Sequence, residues 1–112
     1  MVKFIESELV QLRREVDRMW TLVYNQMDQA RQAVMTLDRQ LAQQIVVRER
    51  RVDAFELKID SDVEDFIALY NPVAVDLRFV LAMLKINGDL ERIGDYAKNI
   101  ADYVIKKGPA EP

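Results

Sequence analysis

Neither cysteine nor histidine occurs among the 112 residues of the chain. Their absence removes disulfides, thiolate nucleophiles, imidazole bases, zinc fingers and every histidine-bearing metal site. Any chemistry must therefore be carboxylate chemistry, and the lack of cysteine fits a reducing cytoplasm. Glycine and proline number three each and fall in roughly the last third of the chain, so residues 1–71 hold no strong helix breaker. No apolar run approaches the ~20 residues needed to span a bilayer, so direct membrane insertion is not expected. The opening Met1-Val-Lys-Phe-Ile-Glu-Ser-Glu carries acids too early for a signal peptide. A dominant charge is also missing: 16 basic and 19 acidic residues are spread along the chain for a net −3, which leaves no basic stripe to follow a nucleic-acid backbone. Strand-like alternation and Gly-rich phosphate cradles are absent as well.

What is present is helical period. Half of the residues are apolar, enough for one domain, 1–112, to bury a core without staples. Ile5, Leu9, Leu12, Val16, Met19, Val23, Met27, Ala30 and Val34 recur at steps of three and four, which predicts a first helix over about 4–35. Asp38 is placed to cap a second helix, over about 38–70, striped by Leu41, Ile45, Val52, Phe55, Ile59, Val63, Phe66 and Tyr70 and interrupted where Arg48 falls on the same line. Asn71-Pro72 reads as a restart, with asparagine capping and proline at the first helical position. A third helix over about 72–107 carries Phe79, Met83, Ile86, Leu90, Ile93, Ala97, Ile100 and Val104. It ends at Lys106-Lys107 and Gly108-Pro109, leaving 108–112 as a frayed tail. Three long helices with very short turns must lie antiparallel to their neighbours, so the expected fold is an all-α antiparallel three-helix bundle. Trp20, Tyr24 and the methionines read as core filler at helical spacing, exposed aromatic positions being the alternative that would mark a partner surface.

The acids are spaced for a site. Glu49, Asp53, Glu56 and Asp60 stack along one side of the second helix, about 100° from its apolar line. Glu91 and Asp95 repeat the four-residue spacing on the third. Because the two helices reverse near residue 71, level residues have numbers summing to about 143. Glu49 then faces the height of Gly94 and Asp53 that of Leu90, so both Glu-x-x-x-Asp pairs share one layer. Crowded carboxylates near low-dielectric surroundings must be protonated, paired or metal-bound. Two readings compete. Arg48, Arg50, Arg51, Arg92 and Lys98 stand close enough in sequence for ordinary surface ion pairs. Alternatively the layer is an all-oxygen cation site, suited to magnesium, calcium, manganese or oxidised iron. A ferritin-type di-iron oxidase would need Glu-x-x-His pairs and is ruled out by the missing histidine. Gly88 and Gly94 each cost ~1 kcal/mol against alanine inside a helix and flank the acidic pair, through either close approach at the acid layer or ordinary small-residue packing. Asn87 and Asn99 share a broad side with Glu91 and Asp95, as ligand-binding amides or as exposed asparagines.

Asn71-Pro-Val-Ala-Val-Asp-Leu-Arg78, then Leu84-Lys-Ile-Asn-Gly-Asp-Leu-Glu-Arg-Ile-Gly-Asp95 and Asn99-Ile-Ala101, resemble the third helix of a PhoU repeat. Arg48-Glu-Arg-Arg-Val-Asp-Ala-Phe-Glu-Leu-Lys-Ile-Asp60 resembles the second helix of that family. The resemblance implies a cytoplasmic, non-enzymatic regulator of phosphate uptake and the phosphate regulon. Such a regulator acts as an adaptor between a phosphate ABC transporter and a sensor histidine kinase. It also implies a multinuclear iron or zinc cluster held through Glu49 with Asp53 and Glu91 with Asp95. Glu56, Asp60 and Asp89 are added by proximity, although Asp89 points about 160° from Glu91 and suits a structural role equally. Family members carry two three-helix repeats and this sequence has one, resembling the first, so it is either a fragment or pairs with a copy of itself. The alternative from another class is a metal-free bundle that mediates assembly.

Overall fold

The computed structural model describes residues 2–108, and within them the chain is three helices: α1 (Val2–Thr36), α2 (Arg39–Tyr70) and α3 (Ala74–Lys107). Each packs on both others in an all-α antiparallel bundle 63 Å long and 17 Å across. The tail at 109–112, expected to fray, lies outside the described residues. No helix among them is long and apolar enough to cross a membrane.

The first turn follows the expected capping. Leu37 adopts the left-handed conformation at φ 53°, and the amide of Asp38 donates to the Ala33 carbonyl at 3.0 Å, closing α1 in a Schellman-type turn. The Asp38 carboxylate then accepts from the Leu41 amide at 3.0 Å, so one residue closes one helix and opens the next. Asp38→Ala is expected to cost about 1 kcal/mol, or ~5 °C in Tm, read by thermal melting followed by circular dichroism. An unchanged melt would show that the cap contributes nothing.

The second turn departs from expectation. Asn71 does not start α3. It sits at φ 44° as the left-handed C-cap of α2, its amide donating to the Ile67 carbonyl at 3.2 Å. Asparagine tolerates that conformation better than most residues, and a group used to close one helix is lost to the next. Pro72 therefore precedes α3 instead of occupying its first turn, and α3 begins at Ala74 behind Val73, which has no side-chain cap bond. At the far end Gly108 stops α3, its amide donating to Val104, and Arg39 donates to the Gly108 carbonyl at 3.2 Å.

The core divides by side-chain size. One half is built from Leu12, Val16, Met19, Val23, Val52, Ile59, Val63, Phe66, Val80 and Leu90, and the other from Ala30, Ala33, Ala42, Ile45, Ala97, Ala101 and Val104. Alanine on all three helices lets them approach closely in the second half, where bulk is replaced by backbone proximity. The α3 stripe is rotated partway from the expected one: Leu90, Ala97 and Val104 are buried as expected and Val80, Asn87, Gly94 and Ala101 join them, while Phe79, Ile86 and Ile100 are half-buried and Ile93 is exposed. On α1 the buried line ends at Ala33, with Val34 exposed. Met19 is core filler as expected. Trp20 and Tyr24, however, are 55% and 67% exposed, and Met35 is exposed too, so these three do not fill the core.

Candidate metal centre

The centre lies where the two halves of the core meet, at the level of Glu49. Two observations fix the register of α2 against α3. A Cβ built on Gly94 would stand 3.4 and 3.6 Å from the two Glu49 carboxylate oxygens, and the Asn87 side-chain amide donates to the Glu56 carbonyl at 3.0 Å. Both pairs sum to 143, the level rule expected from the turn. The same Asn87 amide also donates to Asp60 Oδ1 at 3.0 Å. Asn87 is fully buried and ties α3 to the acidic side of α2, which overturns its reading as an exposed asparagine; Asn99 is exposed.

Glu49, Glu91 and Asp95 each present a carboxylate oxygen, and these three atoms lie within 4.8 Å of one another. Glu49 is 5% exposed, and neither of its oxygens has a hydrogen-bond partner. Glu91 and Asp95 are half-buried at the rim of the bundle. The remaining candidates border the trio without joining it. Asp53 is exposed, while Glu56 and Asp60 are half-buried along the lane, Asp60 being held by Asn87.

The electrostatics record the crowding. Burial pushes the Glu49 carboxyl up to about 8, helped by the neighbouring carboxylate of Asp95 and by the charges of Asp53 and Glu91. Glu91 rises to about 7, again chiefly through desolvation, then through Asp95, Glu56 and Asp53. Glu56 is raised by burial and by Asp60, Asp53 and Asp95. The surface ion-pair reading fails on the same ground. Among the described residues, none of Arg48, Arg50, Arg51, Arg92 or Lys98 forms a salt bridge with any of the six acids. Arg48 donates instead to Gln29 and to Gln44, and Lys98 pairs with Asp102 at 3.5 Å.

The two flanking glycines have different roles. A Cβ at Gly94 would meet Val52 Cγ1 at 3.0 Å as well as the Glu49 oxygens, so the bare backbone here makes the cradle in which that carboxylate lies. Gly88 has nothing within 4 Å of its Cβ position and faces open space. Asp89 lines a groove between α1 and α3 with Trp20, Tyr24 and Ile93, away from the acid trio.

Gln26 was not singled out by sequence. It is fully buried on α1, donates to the Ile45 carbonyl at 2.8 Å, and leaves its own oxygen unpartnered. Its signal was available, because Gln26 is the polar member of the line Met19, Val23, Gln26, Ala30, Ala33, all of which are buried.

An oxygen-only donor set of three carboxylates, one of them buried with both oxygens unpartnered in a cradle kept open by a glycine, fits a multivalent cation. It does not fit a simple monovalent ion pair, for which the bundle supplies no basic partner among the described residues.

Comparison with known proteins bears out the resemblance to the PhoU family. Residues 16–104 match the PhoU domain. The chain is 42% identical over 112 residues to a phosphate-specific transport system accessory protein PhoU homolog of Xylella fastidiosa, an alignment covering all of this chain and 47% of the relative. The corresponding protein of Caulobacter vibrioides is 39% identical over 111 residues, covering 99% of this chain and 48% of the relative. PhoU homolog 1 of Thermotoga maritima is 34% identical over 100 residues, covering 89% and 43%. The chain spans about half the length of the curated relatives it matches. With the domain match running through most of all three helices, the chain belongs to the PhoU domain family.

Proposed function

We propose that the chain is a non-enzymatic regulatory adaptor of phosphate uptake and phosphate-regulon signalling that holds a carboxylate-bound metal centre. Support for the phosphate role comes from relatives whose names describe accessory proteins of a phosphate-specific transport system. In this reading it works in the cytoplasm, against a phosphate ABC transporter and a sensor histidine kinase, and pairs with a second copy of itself. The observation that carries the metal centre is the Glu49 carboxylate, buried with both oxygens unpartnered and facing Glu91 and Asp95. Iron or zinc, as a multinuclear cluster, would be held by Glu49, Glu91 and Asp95, with Asp53, Glu56 and Asp60 extending the site along α2. Bound there, the metal supplies positive charge that neutralises the layer and fastens α2 to α3. The chain's own residues set the geometry: Gly94 leaves room for Glu49, and Asn87 holds α2 and α3 in register.

A second reading is favoured by the raised carboxyls of Glu49 and Glu91. Protons can neutralise the layer in place of metal, leaving a metal-free bundle that mediates assembly. Elemental analysis of protein purified without chelator separates the two. Stoichiometric iron or zinc, lost in a Glu91→Ala variant that keeps its helical circular dichroism, is expected. Metal-free protein that takes up neither ion on reconstitution would leave the assembly reading.

A further inference from the structure

Gln26 stands on α1 between Val23 and Ala30 and is at least as fully buried as either. An amide in that place is costly unless every bond it offers is made. Its Nε2 donates to the Ile45 carbonyl at 2.8 Å, but its Oε1, buried as well, has no hydrogen-bond partner among the described residues. A buried oxygen left unpaired costs about 1–3 kcal/mol. Nor does the backbone need the bond that is made. Ile45 lies within α2, where its carbonyl already accepts the amide four residues on, and that residue is Glu49. Methionine at this position would have a similar reach, leave the α2 ladder complete and remove the orphaned oxygen. The glutamine is therefore kept against the stability of the bundle.

We propose that Gln26 is a positioning residue of the metal centre, reaching from α1 to the turn of α2 that carries Glu49 and fixing where its carboxylate stands. This rests on the metal centre proposed above and adds the third helix to it. The carbonyl that Gln26 holds is the one at the foot of the Glu49 turn. Two hydrogen bonds in series put Nε2 no more than ~6 Å from the Glu49 amide. Sharing one carbonyl between two amides ties the depth and rotation of that turn to α1. Rotation decides the site, because successive residues stand 100° apart around a helix and a modest twist of α2 would carry the Glu49 oxygens away from Gly94, Glu91 and Asp95. Asn87 makes the matching tie from α3, donating to the Glu56 carbonyl further along α2. The stretch of α2 that bears Glu49 is thus held at both ends by buried side-chain amides, one from each of the other helices, and each leaves its oxygen unpartnered. Buried groups of this kind orient the ligands of a metal without touching it.

Calorimetric titration of the chelator-stripped full chain with zinc, and with ferrous iron under nitrogen, tests this beside thermal melts of the metal-free protein. Gln26→Met is expected to bind the metal about tenfold more weakly than the unsubstituted chain. The same variant, without metal, should melt no lower than its parent, a separation of binding from stability that a merely structural residue would not give. Gln26→Leu, which also lacks the donor, should repeat the result. Gln29→Met loses only a contact with the Arg48 side chain, not a hold on the α2 backbone, and should leave metal affinity unchanged. Gln26 variants that bind as tightly as the parent would overturn the positioning role and leave the metal centre standing. Weaker binding accompanied by a lower metal-free melt in both variants would make Gln26 a structural residue and overturn it too. An unsubstituted chain that takes up neither ion would overturn the centre itself and this role with it.

Discussion

In metal-free protein at pH 8, Glu49→Gln is expected to melt roughly 5–10 °C above the unsubstituted chain while losing its hold on a cation. The sign follows from proton counts. Folded Glu49 titrates near 8, against a usual value of 4.5, so between those values the folded chain keeps a proton that the unfolded chain has released. Stability therefore falls as pH rises through that window, and Glu91, near 7, adds in the same direction. Below about 4.5 both states are protonated and the penalty vanishes. Glutamine is nearly isosteric, carries no charge, and can donate to Asp95. The gain should be ~1–2 kcal/mol, less than the full shift implies, because Glu91 and Asp95 are partly open to water. Thermal melts in chelator at pH 4 and pH 8 give the check: the two proteins should nearly coincide at pH 4 and separate at pH 8. Coincidence at pH 8 as well would mean that Glu49 is not under electrostatic strain. The stabilised variant would be the one unable to bind, the usual relation between a strained site and its function.

Gly94→Val is expected to destabilise the bundle by about 3 kcal/mol, lowering Tm by more than 10 °C. Even a methyl at this position meets Val52 Cγ1 at 3.0 Å, closer than ordinary contact, and already touches both Glu49 oxygens, so the further methyls of a branched side chain have little room against them. The same change displaces the Glu49 carboxylate from Glu91 and Asp95, so cation uptake should fall with it. Gly88→Ala is the internal control. It adds a methyl where nothing lies within 4 Å and should stabilise α3 by about 1 kcal/mol through helix propensity alone. Urea melts of the pair measure both, and opposite signs are expected; a Gly94→Val protein as stable as its parent would show that the cradle is not tight.

Much of this was legible in the sequence because helices are local. The three- and four-residue steps fix the elements, Asp38 announces its cap, and short turns force the level rule that sets Glu49 against Gly94. What periodicity cannot supply is rotation. The sequence marks Arg48 as the polar break in the α2 stripe, yet Glu49 is the residue that turns inward, because the space to receive it is made by a glycine on another helix. The same rotation moves Ile93 from the expected core to the surface and brings Asn87 inside. At residue 71 two capping roles competed for one asparagine, and spacing does not say which helix wins. Trp20 and Tyr24 look like core by composition, and only the packing of α1 on α3 shows them facing outward. Six acids were candidates; three bring oxygens within 4.8 Å of one another and three do not, a distinction that spacing along one helix cannot make.

The central claim is that Glu49, Glu91 and Asp95 together hold a multivalent cation. Anomalous diffraction at the zinc and iron edges, from crystals grown with each metal, locates such an ion directly. A peak bonded to oxygens of all three residues, and lost from Glu49→Gln crystals, is the expected result. Fully loaded crystals with no peak among these carboxylates, or with metal bound only elsewhere, would contradict it.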